Sequence, residues 1–278
     1  MSQKFILAGV MGWPVTHSRS PLIHNHWIAQ HQLHGAYGHF PVQPQHLEAA
    51  IRGLSALGLA GCNITIPHKV TAMQFVDWVD PHAQKIGAIN TIVVQPDGAL
   101  HGFNNDGFGY TQSIREKHPQ WEPKDQTVVI LGAGGACRAI LVALLEEGVG
   151  QIRLLNRTLS KAQELAHEFG PKVLALDWSE RHAALANAHL VVNTTSQGMQ
   201  GHAPLDIELH ELPASALVSD IVYTPLDTPL LVTAQQRGNP TIHGLGMLIH
   251  QARPAFKSWF GVMPDVSTEL YSALLKTL

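Results

Sequence analysis

The ten residues "VVILGAGGAC" (Val128–Cys137) constrain the fold more than any other stretch of the chain. Four consecutive branched apolar residues suit a β-strand, and "RAILVALLEEG" behind them suits a helix. Gly132, Gly134 and Gly135 stand between the two, where a strand–loop–helix unit holds the pyrophosphate of a dinucleotide. Gly132 permits the tight turn and Gly134 a close backbone approach, with helix-start N–H groups facing the anion. Cys137 takes the place of the pattern's third glycine, and its small side chain still allows the helix to pack closely on the strand.

The next strand bears on which dinucleotide. A ribose-binding carboxylate belongs about 20 residues on, at the end of "IRLLN". The chain offers Asn156, Arg157, Thr158 and Lys161 there instead. With no acid to repel a 2′-phosphate and two cations able to pair with it, the pattern favours NADP over NAD. The alternative is an ordinary charged helix start.

A chain of 278 residues has room for two domains, and its 45% hydrophobic content supports cores of ordinary size. From Thr127 onward, "QIRLLNRTLSKAQELAHEFG", "AHLVVNTTSQGM", "ALVSDIVYTPL" and "PLLVTAQQRG" repeat the strand–helix alternation, which predicts a doubly wound sheet. The first hundred residues alternate as well. "FILAGVMG", "AYGHFPVQ", "GCNITIP" and "AINTIVVQ" read as strands, while the segment from Ser20, "PQHLEAAIRGLSALG" and "HKVTAMQFVDWV" read as helical. A second α/β domain with a parallel or mostly parallel sheet follows. The polar, proline-containing segment Arg115–Gln126 reads as a boundary loop between the two domains. The helical end of the chain has no strand partner and is expected to cross back to the first domain. The expected division is 1–106 with 245–278, and 107–244.

Charge excludes some partners. A formal net charge of −3 gives no basic face for nucleic acid or an anionic membrane. No run approaches the roughly 18 apolar residues of a membrane span. The N-terminal "FILAGVMGWPV" superficially resembles a secretory leader, but Lys4 is its only preceding charge, Gly and Pro interrupt it, and no small-x-small cleavage site follows. A first strand ending in a turn is the better reading. Cys62 and Cys137 make neither a disulfide framework nor a thiol metal site, and they fit a reducing cytoplasm. Among 18 histidines, His24 and His26 sit two apart, so on a helix they face different ways and cannot share a metal. No metal is expected.

A bound nicotinamide brings hydride transfer, and a carbonyl being reduced needs a proton donor beside its oxygen. No Tyr-x-x-x-Lys occurs, and two cysteines are too few for the usual zinc sites of alcohol dehydrogenases. The remaining candidates are Lys69, ending "NITIPHK", and Asp106 in "GFNNDG". Both fall beyond strand ends, where α/β sheets place ligands, although solvated loop charges are the alternative. "HSRSP" (His17–Pro21) is also open to two readings. Ser20 before Pro21 reads as a helix N-cap with proline at the first helical position. The same helix start, with two serine hydroxyls, can hold an anion.

In order and over nearly the whole chain, "GWPVTHSRSPLIHN", "NITIPHK", "GAINT", "GFNNDG", "GAGGA", "NRTLSK", "NTTSQGM" and "GLGML" followed by Gln251 resemble the shikimate dehydrogenase family. The resemblance implies a substrate-binding α/β domain, a Rossmann NADP domain and a cleft between them in which 3-dehydroshikimate is reversibly reduced to shikimate. It assigns Ser18 and Ser20 to the substrate carboxylate, with Tyr223 closing on that end. It places Thr65, Lys69, Asn90, Asp106 and Gln251 around the ring and its hydroxyls. Lys69 and Asp106 form the catalytic pair, and Asn63 belongs to a shared motif with its role open. A lysine is a poor base at neutral pH unless burial disfavours its charge, and Asp106 acts in the opposite sense. Gly132, Ala133, Gly134, Gly135, Ala136, Asn156, Arg157, Thr158, Lys161, Ile221 and Gly244 match the family's NADP contacts.

Some positions depart from the pattern. Asn105 stands where the family usually has threonine, His68 where it often has an aromatic residue, and Cys137 follows the glycine loop. His68 either acts as a cation near Lys69 or faces solvent, and solvent is the expectation. A quinate or aminoshikimate dehydrogenase of the same family is the near alternative. A non-catalytic NADP-sensing module is the distant one, disfavoured by the intact Lys69 and Asp106. The expected partners are one small acid and NADP, in a monomer or homodimer.

Overall fold

The computed structural model describes residues 5–278, so Lys4 lies outside the described residues. They divide into two compact units. The first takes the described residues up to Asp106 together with Leu248–Thr277, and the second takes Gly107–Met247.

The first unit is built on β1 (Ile6–Gly12), α1 (Ser20–Gln30), β2 (Gly35–Pro41), α2 (Leu47–Ala56), β3 (Gly61–Ile64), β4 (Trp78–Val79), α3 (Pro81–Ile86), β5 (Thr91–Val94) and β6 (Leu100–Phe103). Its sheet has the order β2-β1-β3-β5-β6-β4. The β1/β2, β1/β3 and β4/β6 pairs are parallel, whereas β5 runs antiparallel to both β3 and β6. The sheet is therefore mixed. "HKVTAMQFVDWV" departs from its helical reading, giving a 3₁₀ turn at Thr71–Phe75 and the strand β4. Val70, Thr71, Val76 and Val79 are β-branched, which weakens helix propensity and favours extended pairing.

On α1, Ser20, Ile23, His24, Trp27 and Ile28 are buried, an i, i+3, i+4, i+7, i+8 stripe facing the core. Ser20 is not the N-cap. Arg19 already has helical backbone angles, and its carbonyl accepts the Ile23 amide at 3.2 Å, so the helix begins one residue early. The hydroxyl at this end comes from Ser18, whose Oγ accepts the Ser20 amide at 3.3 Å.

The second unit runs through α4 (Asp106–Lys117), which starts at the boundary, then β7 (Thr127–Leu131), α5 (Gly135–Glu146), β8 (Gln151–Leu155), α6 (Leu159–Phe169), β9 (Val173–Leu176), β10 (Leu190–Asn193), β11 (Leu217–Asp220), α7 (Pro229–Gln236) and β12 (Thr241–His243). Its sheet order is β12-β11-β10-β7-β8-β9 with every pair parallel. Numbered within the unit this is 6-5-4-1-2-3, the doubly wound dinucleotide-binding order, whose switch point lies between β7 and β10. The reason is legible in β7. Val128 and Ile130 pack with Ile140, Leu141 and Leu144 of α5, while Val129 and Leu131 pack with Leu230 and Leu231 of α7. Helices on both faces require strand residues of both parities to be apolar. α8 (Gly244–Phe260) begins in this unit and continues into the first, which also holds α9 (Thr268–Leu275). The terminal helices thus return to the first unit as expected. Among the described residues no helix is long and apolar enough to cross a membrane.

His24 sits at the centre of the first unit, stacked on Tyr37 with ring centroids 4.0 Å apart and an interplanar angle of 1°. Burial disfavours its charged form, neither ring nitrogen has a hydrogen-bond partner, and its pKa is lowered to about 3. The unfolded chain takes up this proton near pH 6.5, so between the two values the unfolded state holds more protons. Stability then falls as pH drops through that window, by about 1 kcal/mol per pH unit from this group. His24→Phe should flatten the acid side of the stability curve relative to wild type in urea-unfolding midpoints between about pH 4 and 7. Parallel curves would assign the loss to other groups.

Candidate active site

The reversed strand β5 decides what meets at the working end of the first sheet. Because β5 runs against β3 and β6, its first residues lie beside the last residues of those strands, with Thr91 opposite both Asn63 and Phe103. Asn90 is locked into this end by its backbone, its N–H donating to Phe103 O at 2.9 Å and its carbonyl accepting the Ile64 amide at 2.8 Å. Lys69 follows β3 and Asp106 follows β6, so two chain segments 37 residues apart converge there.

Lys69 Nζ donates to Asp106 Oδ2 at 2.5 Å, with the two side chains 16% and 5% exposed. Asn90 Nδ2 donates to Asp106 Oδ1 at 2.9 Å and to Gln251 Oε1 at 3.2 Å. Gln251 is oriented in turn by its Nε2 bond to Leu248 O at 2.9 Å. Lys69, Asp106, Asn90 and Gln251 are thereby brought into one hydrogen-bonded group. Both carboxylate oxygens are occupied by donors, as a little-exposed charge requires.

Ser18 and Ser20 lie beyond the end of β1. Ser18 Oγ donates to Ser20 Oγ at 3.2 Å, and His39 Nε2 lies 2.9 Å from Ser18 O. Arg19 points away from the serine pair and donates to Thr277 O. Thr65 directly follows β3, and its amide donates to Met11 O at 2.9 Å. His68 corrects an expectation: it does not face solvent. It is 2% exposed, with Nε2 2.8 Å from Val42 O. A carbonyl can only accept, so Nε2 carries a proton and the ring serves as a strut to the segment after β2.

In the second unit Gly132 has φ +108°, and a Cβ there would lie 2.7 Å from Thr194 Oγ1. The turn after β7 thus admits only glycine. Open space surrounds the position a Cβ would take at Gly134, the N-cap of α5, and no side chain caps that helix. Such a helix start, with free N–H groups and an uncovered approach, fits a pyrophosphate. Cys137 is buried in the core behind it, and burial, opposed by a Thr194 hydrogen bond and Arg138, pushes its thiol pKa up to about 12. At the end of β8 no carboxylate appears. Asn156 Nδ2 bonds Thr158 O at 2.9 Å, while Arg157, Thr158 and Lys161 are exposed. These residues fit a 2′-phosphate.

Ile221 and Gly244 meet through backbone. A Cβ on Gly244 would fall 2.1 Å from Ile221 O, so the start of α8 can touch this segment only as glycine. Sequence reasoning passed over the residue that pins the segment, Asp220. It is 1% exposed and accepts from Asn193 Nδ2 at 3.0 Å, Val222 N at 2.9 Å and Thr228 Oγ1 at 2.7 Å. Burial raises its pKa against the pull of those bonds and of His243. The available signal was a carboxylate inside the mostly apolar run "ALVSDIV". Among the described residues no group of three or more His, Cys, Asp or Glu side chains could hold a metal.

A parallel sheet in this order, with a glycine turn at its switch point and no acid after its second strand, marks a Rossmann-class dinucleotide-binding protein suited to NADP. The comparisons with known proteins make the assignment finer. Residues 10–92 match the shikimate dehydrogenase substrate binding domain, residues 114–203 the shikimate/quinate 5-dehydrogenase family and residues 244–268 the shikimate 5′-dehydrogenase C-terminal domain. The shikimate dehydrogenase (NADP(+)) of Paramagnetospirillum magneticum is 49% identical over 275 residues, 99% of this chain and 100% of the relative. A crystal structure of shikimate 5-dehydrogenase from Thermus thermophilus in complex with NADP(H) and shikimate has a TM-score of 0.87 at 33% identity, covering 98% of this chain and 100% of that one. Quinate dehydrogenase from Corynebacterium glutamicum, in complex with NAD, has a TM-score of 0.90 at 31% identity, covering 98% and 99%. The chain belongs to the shikimate dehydrogenase family.

Gly244→Ala is expected to force α8 and the Ile221 segment apart. It should lower stability by about 1–3 kcal/mol and weaken NADP binding, read from the thermal midpoint and a fluorescence titration. A variant with wild-type values in both would show that the close approach is dispensable.

Proposed function

We propose that this chain catalyses the NADP-dependent, reversible reduction of 3-dehydroshikimate to shikimate, with Lys69 and Asp106 as its catalytic pair. The observation that carries the residue roles is the 2.5 Å Lys69–Asp106 contact, with Asn90 and Gln251 bound to its far side. NADP, when bound, supplies the hydride acceptor or donor.

Lys69 Nζ gives a proton to the substrate oxygen as the carbonyl becomes an alcohol, and takes it back in the reverse direction. Asp106 holds the ammonium through Oδ2 and keeps it aimed, while Asn90 and Gln251 fix the other side of the group and meet ring hydroxyls. Thr65, just past β3, joins them. Ser18 and Ser20 bind the substrate carboxylate, supported by their two hydroxyls and their position at the start of α1, whose dipole favours an anion. Tyr223 serves the same end of the substrate.

On the nucleotide side, Gly132, Ala133, Gly134, Gly135 and Ala136 hold the pyrophosphate. Asn156, Arg157, Thr158 and Lys161 take the 2′-phosphate, and Ile221 and Gly244 complete the contacts. Shikimate is preferred to quinate as substrate because relatives at 44–49% identity carry the shikimate dehydrogenase (NADP(+)) name, against 31% for the quinate-named neighbour. A cytoplasmic setting, in a monomer or homodimer, completes the reading. Two buried free cysteines are in keeping with that setting.

Steady-state assays with shikimate and NADP should show turnover, and Lys69→Ala should lower kcat by about 10²–10⁴-fold. Near-normal turnover by that variant would remove Lys69 from the proton step. Ser18→Ala and Ser20→Ala should each raise the shikimate KM by about tenfold, from the loss of one hydrogen bond to a charged group. The NADP KM should stay near wild type. An unchanged shikimate KM in both variants would return the serines to a helix-start role.

A further inference from the structure

Thr91 is 1% exposed, and three side-chain amides meet on its one hydroxyl. Its Oγ1 accepts from Asn63 Nδ2 at 3.1 Å and from Asn105 Nδ2 at 3.0 Å, and it donates to Asn90 Oδ1 at 2.8 Å. A hydroxyl has two lone pairs and one proton. Thr91 is therefore saturated, and its rotor has no second position.

The consequence passes to Asn90. An asparagine amide turned by 180° has nearly the same shape, so packing alone does not choose between its two orientations. The backbone N–H of Asn105 does choose: it can only donate, and it meets Asn90 Oδ1 at 3.0 Å. With Oδ1 held by Asn105 N–H and the Thr91 hydroxyl, Nδ2 is left to donate to Asp106 Oδ1 and Gln251 Oε1. Asp106 is then gripped on one oxygen by Asn90 and on the other by Lys69.

The hub is itself anchored. Asn63 Nδ2 also donates to Asn90 O at 3.1 Å, and Asn63 Oδ1 accepts from Tyr37 Oη at 2.6 Å. Tyr37 lies in β2 and stacks on the buried His24. Asn104 holds the neighbouring turn, accepting the Asp106 amide at 3.0 Å while its own Nδ2 bonds Ala88 O at 2.8 Å. Three strands and the turn before α4 thus converge on one threonine.

We propose that Thr91, together with Asn63 and Asn105, is the positioning hub of the active site: it fixes the amide of Asn90 and, through it, the carboxylate plane that faces Lys69. The proposal rests on the reading of Lys69 and Asp106 as the catalytic pair. It gives Asn63 a task that needs no contact with substrate. It also accounts for an amide at position 105, where the backbone N–H holds Asn90 and the side chain reaches Thr91.

Thr91→Val removes the hydroxyl at nearly constant shape, leaving two amides short of an acceptor and Asn90 with one restraint fewer. Misplacing Asp106 by a fraction of an ångström should lower kcat for shikimate oxidation by about tenfold or more, with the NADP KM within about twofold of wild type. Thr91→Ser keeps the hydroxyl and should recover most of that loss, with thermal midpoints recorded for both. A merely structural role predicts a lower midpoint with kcat within about threefold of wild type. That result, or a serine variant as slow as the valine one, would overturn the proposal. If the valine variant does not fold, Asn105→Ala removes one arm of the hub and leaves the backbone N–H in place. It should lower kcat by about threefold or more, and an unchanged kcat would again overturn the proposal. Failure here is separable from failure of the catalytic reading: an active Lys69→Ala removes the latter, whereas an inactive Lys69→Ala beside a normal Thr91→Val removes only the hub.

Discussion

A lysine and an aspartate 2.5 Å apart, with only 16% and 5% of their side chains exposed, cannot be placed wherever a fold leaves room. Withdrawing either charge from water is costly, and their mutual attraction offsets that only if every remaining polar atom is satisfied. The first unit meets the condition by reversing one strand. β5 turns the mostly parallel sheet into a mixed one and delivers Asn90 to the carboxyl ends of β3 and β6. The amide on the far side of Asp106, the glutamine beyond it and the hydroxyl beneath it all follow from that reversal. Were β5 parallel, Asn90 would sit at the opposite edge of the sheet, and the ion pair would lack its second donor.

The second unit solves a different problem with different means. A dinucleotide's charge lies in its phosphates, and backbone N–H groups at a helix start can meet it without a fixed counter-charge. What the fold must provide is closeness. Gly132 supplies the turn that only a positive φ allows, Gly134 leaves the approach open, and Gly244 lets α8 start against Ile221. Asp220 then fixes the Ile221–Tyr223 segment through Val222 N–H and Thr228. Here a buried carboxylate braces backbone, whereas in the first unit one braces a lysine.

The three departures from the family's motifs become intelligible in this light. Cys137 sits in the core behind the glycine turn, where burial keeps its thiol protonated and inert. His68 is engaged by the Val42 carbonyl and supports the segment that carries Lys69. Asn105 binds Thr91 with its side chain and Asn90 with its backbone. The first two residues are buried in their units, and the third bears on the catalytic group itself.

The sequence alone determined the nucleotide unit almost completely, because its signals are local. Apolar residues of both parities in "VVIL", three glycines in the following turn and the missing acid after "IRLLN" each act within a few residues of where they stand. It also named Lys69, Asp106, Asn90 and Gln251, through ordered motifs. It took Ser20 as the N-cap of α1, gave a helix to the Thr71–Val79 region and turned His68 to solvent. In each case a particular partner prevailed over local propensity: Ser18 at the helix start, β6 beside β4, and Val42 above His68. Only the tertiary structure decided that β5 runs backwards and that Thr91 joins three amides. Strand direction and the pairing of residues 14 to 161 positions apart are settled by hydrogen bonds between segments, and no local pattern records them.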